Sequence, residues 1–462
     1  MDWQEDMAKA AGKTTPQKQI LAALLKSLDA HVSSTAPVCV AFSGGVDSLV
    51  LLHALRQSAG DRRIRAVHVD HGLQSQSGVW AETCQRICLD FNTPFSLVHA
   101  RVDLASGLGL EAAARESRYA ALEEQLSQGE VLVTAHHQRD QFETLLLRLL
   151  RGAGVHGLAA MSHHSHRGAM ELLRPLLDVP ADTIRAYAAA EQLDWVDDPS
   201  NADLAMDRNF LRHKVLPVLL ARWNAAESSV ARAARLCAES AAILDEVAQQ
   251  DLEGVIDRGR LSLAGLGILS AARQKNAFRY ALRMHDLAIP SEKQLEHALM
   301  TLLDAKGDAQ PEAAWPGVRI RRYRRYLWFY PEAADPLHVG SPVEVYPWQP
   351  DVTLDMGAVR GTLVSESVQG AGIAAEFCGE ALQVKFRQGG ERLRIARNGR
   401  TRELKNLLQE MDIVPWMRGH IPLIYSGEHL LAVGNIWVNA DFAAHAGASG
   451  LKVKWEGHSP VR

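Results

Sequence analysis

The five cysteines of this chain are few for its length, and no two of them form a Cys-x-x-Cys pair. They stand at positions 39, 84, 88, 237 and 378 of 462 residues, an odd and scattered set that is typical of reduced thiols in a reducing compartment. Cys84 and Cys88 lie in an amphipathic helical pattern, which favours a buried helix face over a metal site. Without a cysteine pair at metal-binding spacing, the sequence offers no pattern for an iron–sulfur cluster.

Long apolar runs are missing too, and no stretch reaches the length of a membrane span. The first residues, Met1–Asp6, have neither the basic nor the apolar region of a signal peptide. We therefore expect a cytoplasmic protein. The apolar fraction of 47% and the charged fraction of 23% are those of a globular chain, and its length predicts about two to four domains.

An excess of positive charge is also absent, because the formal net charge is −4 at pH 7. A chain average hides local clusters, however. Between Lys385 and Lys405 eight Lys or Arg residues stand against two Glu. If the protein binds a polyanion, this stretch is a candidate contact.

One loop has the pattern of a phosphate site. Residues 37–49 read as a strand, a tight loop and a helix, because an apolar run breaks at Ser43-Gly44-Gly45 and apolar residues then recur at helical spacing. The glycines let a ligand come close, and the loop amides with the positive end of the helix dipole favour phosphate. The loop lacks the lysine of the Walker sequence and the spacing of the dinucleotide fingerprint. Ser48 adds a hydroxyl donor, and Asp47 is a candidate metal ligand.

The first half of the chain alternates strand and helix patterns. Further strands are predicted at 65–70, 95–102 and 131–135. This alternation predicts a parallel sheet covered on both faces, with ligands at the carboxyl ends of the strands. Polar residues follow three predicted strands and are expected along one edge: residues 43–48, 70–71 and 136–137. His68, near the end of the second strand, is a candidate ligand-binding residue at the same edge. A histidine with a purely structural role at a strand end fits equally well.

Charged residues at helical spacing form two further candidate clusters. Arg115 and Arg118 share one helix face with Glu111; the arginine pair suits phosphate oxygens, and an exposed salt-bridged helix is the alternative. Asp140 and Glu143 also share one face, beside His136 and His137. These carboxylates are suited to binding magnesium, receiving an ammonium group or accepting a proton, and a capped helix start with satisfied histidines is the alternative. The His-Glu-x-x-His spacing of a zinc site is absent.

A second basic stretch, Val318–Tyr330, interleaves five arginines with aromatic residues. Such interleaving suits a nucleic-acid surface. An edge strand guarded by arginines gives the same pattern. The sequence leaves both interpretations open.

The loop SGGVDS at 43–48 resembles the pyrophosphate loop of the N-type ATP pyrophosphatases. With it, seven blocks resemble the tRNA(Ile)-lysidine synthetase family in order and spacing. The other six are HVDHGL at 68–73, EAAARESRY at 111–119, TAHHQRDQFETLLLRLLRG at 134–152, GLAAM at 157–161, RPLL at 174–177, and DPSN at 198–201 with Arg208-Asn209 and Arg212. Arg139 stands where the family usually has an acid, so no role is carried over to that position.

This resemblance implies that the chain adenylates the carbon-2 oxygen of the wobble cytidine in an isoleucine tRNA with a CAU anticodon. Pyrophosphate leaves, the side-chain amine of free L-lysine attacks carbon-2, and AMP leaves to give lysidine. The modification changes codon reading from AUG to AUA and charging from methionine to isoleucine. ATP and Mg²⁺ are the implied cofactors, and the oligomeric state stays open between a monomer and a homodimer.

The resemblance also implies the residue roles. ATP would be bound by the loop and a neighbouring histidine, namely Ser43, Gly44, Gly45, Val46, Asp47, Ser48 and His68, with Asp47 also holding Mg²⁺. The implied catalytic residues are Asp47, Arg115, His137, Asp140 and Glu143; Arg115 would stabilise the α-phosphate, and the last three would position lysine and help deprotonate its amine. The implied tRNA contacts are Arg148, Arg151, Arg208, Arg212, Arg387, Arg392, Arg402 and Lys405.

The same resemblance gives a fold class and a domain plan. Residues 1–216 are expected to form a parallel-sheet α/β domain of the adenine nucleotide alpha hydrolase type, which is the catalytic ATP pyrophosphatase domain. Residues 217–335 are expected to form a helical middle domain that contacts tRNA. After a Pro-rich linker at 331–352, residues 350–455 are expected to form a small α+β domain that binds tRNA.

Two other functions compete with this interpretation. A tRNA-thiolating pyrophosphatase would activate a base in the same way, but it needs a cysteine pair or an iron–sulfur cluster that this sequence does not offer. A tRNA-binding protein that has lost catalysis is the other alternative. The intact loop and the presence of Asp140 and Glu143 argue against such a loss, whereas Arg139 favours it.

Overall fold

The structure is a computed structural model that describes residues 15–461, apart from 59, 61, 73–75, 103–109, 258–259, 306–308, 340–344, 380–381 and 460. The start Met1–Asp6, Leu73 of the predicted HVDHGL block and five residues of the predicted linker lie outside the described residues. The chain divides into two compact units, Met1–Ile243 and Leu244–Arg462. The three-domain plan stays a prediction.

The first unit is built on a six-stranded sheet with helices on both faces. Its strands are β1 (Val38–Ala41), β2 (Ile64–Asp70), β3 (Phe95–His99), β4 (Val131–Val133), β5 (His164–Arg167) and β6 (Met170–Leu173). Its helices are α1 (Pro16–His31), α2 (Val46–Ser58), α3 (Ser77–Asp90), α4 (Leu110–Gln125), α5 (Gln138–Leu150), α6 (Val155–Leu158), α7 (Ala181–Ala190), α8 (Asp207–Phe210), α9 (Leu216–Arg222) and α10 (Ala226–Val255), within which the division between the units falls.

The strand order is β3-β2-β1-β4-β6-β5, and every neighbouring pair is parallel except the last. Val38 of the central strand β1 pairs with Ile64 on one side and Val131 on the other. The runs Val38–Val40 and Val131–Val133 are buried throughout, as expected of strands covered by helices on both faces. This confirms the predicted parallel α/β fold.

The sequence did not indicate the hairpin that completes the sheet. Strand β6 continues the parallel order, but β5 runs antiparallel to it and forms the edge. His164–Arg167 is polar and only half-buried, so it lacks the apolar run that reveals an interior strand. Strand β3 is also shorter than the predicted 95–102, because it ends at His99.

Helix α1 packs against the sheet's helical layer through one narrow face. Ile20, Leu24 and Leu28 are buried, four residues apart, while the neighbouring Leu25 is 40% exposed. The helix begins where the Thr15 side chain accepts a hydrogen bond from the Lys18 amide at 3.4 Å.

The second unit combines helices with antiparallel sheets. Its helices are α11 (Leu263–Gly267), α12 (Ala271–Met284), α13 (Glu292–Asp304), α14 (Pro336–Val339) and α15 (Leu404–Glu410). Its first sheet, in the order β7-β8-β11-β10-β9, contains β7 (Ile256–Asp257), β8 (Arg260–Ser262), β9 (Glu312–Trp315), β10 (Val318–Tyr323) and β11 (Tyr326–Pro331). The prediction of a helical middle region missed this sheet, whose short strands alternate with turns.

The remaining strands of this unit lie towards its C-terminal end. They are β12 (Tyr346–Trp348), β13 (Leu354–Asp355), β14 (Thr362–Gln369), β15 (Ile373–Ala374), β16 (Leu382–Lys385), β17 (Arg392–Leu393), β18 (Arg402–Glu403), β19 (Leu423–Ser426), β20 (His429–Val433), β21 (Trp437–Val438) and β22 (Ser449–Glu456). One apolar core contains Trp348, Leu407 and Trp455. The predicted α+β character of this region is therefore confirmed. Among the described helices, none has the length and apolarity needed to span a bilayer.

The basic stretch Val318–Tyr330 is not an edge strand, and two of its five arginines are buried inside the fold. Strand β10 is bordered by β9 and β11. Arg321 is buried in an ion pair with Asp335, and Arg322 is buried with its guanidinium on backbone carbonyls, including that of Leu302 at 2.9 Å. Both sequence interpretations are therefore wrong for these two arginines, whose charges are satisfied inside the fold.

Candidate active site

A cavity of about 280 Å³ opens at the carboxyl ends of strands β1, β2 and β4. Nine of the residues singled out in the sequence line it: Ser43, Asp47, Ser48, His68, Arg115, Arg118, His136, Asp140 and Arg212. The polar strand ends therefore meet at one edge, as the parallel order requires. Tyr119 and Thr134 also line the cavity; no separate sequence signal singled out these two residues.

The loop between β1 and α2 is closed by its two serine hydroxyls. Ser48 donates to the Gly45 carbonyl at 3.0 Å and accepts from the Ser43 amide at 3.2 Å. The two hydroxyl oxygens are 3.1 Å apart, and the Gly45 amide lies 3.4 Å from the Ser43 hydroxyl. These bonds fix the loop above the first turn of α2, where the backbone amides and the helix dipole attract an anion.

Gly44 is required by the shape of this loop. Its φ is +83°, and a Cβ built there would lie 2.7 Å from the Cys84 Sγ on helix α3. The Gly44 carbonyl accepts a hydrogen bond from the Val196 amide at 3.0 Å. The loop is thus held between α3 and the segment after α7, with no space for a side chain.

His68 connects the second strand to the end of the first. Its Nδ1 lies 2.8 Å from the Phe42 carbonyl oxygen, so Nδ1 carries the proton and donates it. Burial lowers the pKa of His68, which keeps the ring neutral. The histidine therefore lines the cavity as an uncharged group and positions the start of the loop.

His137 lies between two carboxylates. Its Nε2 is 3.6 Å from Asp47 Oδ1, and its Nδ1 is 3.5 Å from Asp140 Oδ2. Asp140 also accepts a hydrogen bond from the His137 amide at 2.9 Å, which caps helix α5. Burial lowers the pKa of His137, but the two carboxylates outweigh it and leave that pKa above its ordinary value.

Glu143 is completely buried and bound by two arginines. Arg212 donates to both carboxylate oxygens, at 2.7 and 2.9 Å, and Arg208 Nε lies 3.3 Å from Oε2. Arg212 also lies 3.5 Å from Asp140 Oδ1 and lines the cavity. Burial raises the pKa of Glu143, and the hydrogen bonds with Arg212 oppose that rise. Glu143 does not line the cavity, but its partner Arg212 does.

The cavity lining also contains two arginines, Arg115 and Arg118. Arg115 stacks over the Tyr119 ring, with 5.1 Å from Cζ to the ring centre. Arg174 is buried nearby, with one guanidinium nitrogen 2.9 Å from the Ser162 carbonyl, and its Nε has no hydrogen-bond partner among the described residues. Burial lowers the pKa of His136 to about 3, so this ring is neutral. The arginines of the lining suit a polyanion, whose oxygens would offset their charges.

The donor set of the cavity fits a magnesium–phosphate ligand. Asp47 has a half-exposed carboxylate at the mouth of the phosphate loop, and Asp140 has a second carboxylate in the same cavity. Mg²⁺ in proteins is commonly bound through one or two carboxylates together with substrate phosphates and water. Arg115 and Arg118 add two cations to the same lining.

Four residues predicted to bind tRNA lie in the first unit, and most have internal partners. Arg148 donates to the carbonyls of Gly157 and Ala160, at 2.9 and 2.8 Å. Arg208 and Arg212 bind Glu143, as described above. Arg151 is exposed, 3.5 Å from an Asp207 carboxylate oxygen. Arg139, at the unusual position, binds Glu227 at 2.6 Å and does not line the cavity.

The other four lie in the second unit at its surface. Arg392 and Lys405 are exposed. Arg402 is also exposed and pairs with Glu410. Arg387 is half-buried, with its Nε 3.8 Å from a Glu391 carboxylate oxygen.

Three known domain families match this chain. A PP-loop domain family matches residues 14–219, a TilS substrate binding domain family matches 261–328, and a TilS substrate C-terminal domain family matches 382–455. The first match contains every residue that lines the cavity.

Similar proteins extend these matches to nearly the whole chain. A tRNA(Ile)-lysidine synthase of Coxiella burnetii is 37% identical over 95% of this chain and 96% of its own length. Another from Alkalilimnicola ehrlichii is 40% identical over 94% of this chain and 97% of its own. Among solved structures, the U34-tRNA thiolase NcsA from Methanococcus maripaludis is 18% identical, with a TM-score of 0.40 over 48% of this chain and 80% of that one. On the identity and coverage of the first two relatives, this chain belongs to the tRNA(Ile)-lysidine synthase family.

Proposed function

We propose that this chain uses ATP to join lysine to carbon-2 of the wobble cytidine in an isoleucine tRNA with a CAU anticodon, forming lysidine. The proposal rests on one observation, which agrees with the family of the chain: the SGGVDS loop, Arg115 and Asp140 line the same cavity. One pocket thereby offers an anion site for a nucleotide and, close to it, a carboxylate for an amine. Such a pocket serves a reaction in which a base is first activated by a phosphate group and then attacked by an amine.

In the first step, the cytidine carbon-2 oxygen attacks the α-phosphate, and the bond to pyrophosphate breaks. The loop amides with Ser43 and Ser48 would bind the pyrophosphate portion, next to His68. Arg115 would stabilise the negative charge that grows at the α-phosphate. Mg²⁺ held by Asp47 would neutralise phosphate charge during this step.

In the second step, the lysine amine attacks carbon-2 and AMP leaves. Only the neutral amine is a nucleophile, so the ammonium group must first lose a proton. The Asp140 carboxylate lines the cavity and would receive the ammonium group, with His137 beside it as a proton acceptor when neutral. Glu143 would contribute through Arg212, which it holds 3.5 Å from Asp140.

The tRNA would be held mainly by exposed cations. Arg392 and Lys405 in the second unit and Arg151 in the first have side chains at the surface, where phosphates can reach them. A base in an anticodon loop can enter a pocket without melting a duplex. The buried or paired arginines Arg148 and Arg208 would instead support the cavity.

Incorporation of labelled lysine tests this function. The purified chain is incubated with ATP, Mg²⁺, labelled L-lysine and a CAU-anticodon isoleucine tRNA transcript, and each component is omitted in turn. We expect protease-resistant label in tRNA only in the complete mixture, and loss of label in Asp140→Asn. The paired control is Asp182→Asn, because this exposed carboxylate lies outside the cavity. AMP release that depends on a sulfur donor would instead indicate thiolation. A homodimer stays a prediction, which light scattering of the same preparation tests.

A further inference from the structure

A histidine-rich patch lies on the edge hairpin of the first unit, outside the candidate active site. It consists of His164 and His166 on β5 and Glu171 on β6. One ligand atom from each side chain lies within 4.8 Å of the other two. None of the three lines the catalytic cavity, so the reaction proposed above does not account for them.

The register of the hairpin explains why these side chains meet. His166 stands directly opposite Glu171 in the antiparallel pair, and His164 is two residues from His166 along the same strand. Residues two apart share one face of a strand, and directly opposite residues have neighbouring side chains. The cluster is therefore fixed by the backbone pairing and does not depend on a flexible loop.

The distances suit one metal ion. His164 Nε2 and Glu171 Oε1 are already 2.8 Å apart. Two ligand atoms that are each about 2.1 Å from a tetrahedral zinc ion lie about 3.4 Å apart. A small opening of this pair therefore leaves room for the ion. His166 is exposed, so its ring can turn towards the ion without repacking the interior.

The surroundings also favour a cation. His31, the last residue of α1, stacks on His164 with 5.0 Å between ring centres. The carboxyl end of α1, which carries the negative end of the helix dipole, therefore lies beside the cluster. The stacked His31 ring also packs against one side of His164.

We propose that His164, His166 and Glu171 form a binding site for a divalent transition-metal ion of the zinc class. Two imidazoles and one carboxylate match the ligand preference of Zn²⁺, Co²⁺ and Ni²⁺ and leave coordination positions for water. The ion would connect β5 to β6 at the end of the sheet. This site is separate from the Mg²⁺ expected among the phosphates, which requires oxygen ligands.

Zinc titration of the untagged full chain by isothermal calorimetry tests the site. We expect one tight equivalent of Zn²⁺ at pH 7.5. His166→Gln and Glu171→Gln should each lower the zinc affinity by at least roughly 10- to 100-fold, because loss of an outer-shell partner alone already costs that much. The matched control is His297→Gln, an exposed histidine on α13, which should bind zinc like the unchanged chain.

A second readout is independent of heat of binding. At the same zinc concentration, zinc should raise the unfolding temperature of the unchanged chain and of His297→Gln by more than that of Glu171→Gln. The proposal is overturned if the unchanged chain binds no zinc, or if His166→Gln and Glu171→Gln bind it with unchanged affinity and stoichiometry. Either result would reduce the cluster to a hydrogen-bonded histidine–carboxylate pair at a sheet edge.

Discussion

Replacement of Gly44 by alanine should destabilise the first unit, because two costs add at this position. A left-handed backbone costs a residue with a Cβ about 1–2 kcal/mol. The new methyl group would also stand 2.7 Å from Cys84 Sγ, and overpacking of this kind costs about 1–3 kcal/mol. A middle value of about 3 kcal/mol corresponds to a fall of roughly 6–12 °C in the unfolding temperature for a domain of this size.

Calorimetry of the ligand-free full chain measures this fall. The matched control is Gly45→Ala in the same loop, where the built Cβ has only an ordinary contact, 3.5 Å from the Ser43 hydroxyl. Gly44→Ala combined with Cys84→Ala should recover the part of the loss that comes from the contact, but not the part that comes from the backbone. If Gly44→Ala and Gly45→Ala unfold at the same temperature, the left-handed loop wedged against α3 is not a feature of the protein in solution.

Three further predictions concern charge. Arg212→Met should destabilise the first unit by about 3 kcal/mol, because it removes the bidentate partner of the buried Glu143 carboxylate; calorimetry should show no loss if that pair is unimportant. Removal of Arg392 and Lys405 together should lower the slope of log K for tRNA against log salt by about 0.7–0.9 per lost phosphate contact, and an unchanged slope in filter binding would exclude both contacts. The folded-state pKa of His137 is raised above 6.5, so the stability that its charge contributes is full below about pH 6.5 and is lost as the pH rises through the folded pKa. The difference in unfolding temperature between the unchanged chain and His137→Gln should therefore shrink with rising pH, and a difference that grows instead would refute the charge assignment.

The sequence predicted the first unit well because its signals there are local. Each central strand is a short β-branched run that is buried on both faces, and each is followed by a helix with an apolar stripe. In a parallel sheet the carboxyl ends of the strands lie along the same edge, so the position of the site follows once the strands are known. That is why Ser43, His68 and Asp140 were expected at one edge and line one cavity.

The parts that were missed depend on partners far away in the chain. Arg212 and Glu143 are 69 residues apart, and nothing local to Arg212 distinguishes an ion-paired arginine from one that contacts tRNA. Arg321 looked exposed because arginines usually are. Its partner Asp335 lies beyond the strand and buries the charge. The spacing of charged residues thus predicts which side chains share one face of a helix or strand. It does not predict which distant residues pack against that face.

Transfer of label from ATP that is labelled at the α-phosphate tests the central claim most directly, namely that one cavity performs both steps. Without lysine, the unchanged chain should place label on the CAU-anticodon tRNA, and added lysine should release it as AMP. Arg115→Ala should fail to label the tRNA, whereas Asp140→Asn should label it but release AMP slowly on addition of lysine. Contradiction would come from a chain that incorporates lysine without ever labelling the tRNA, or from Arg115→Ala and Asp140→Asn with unchanged rates of both steps.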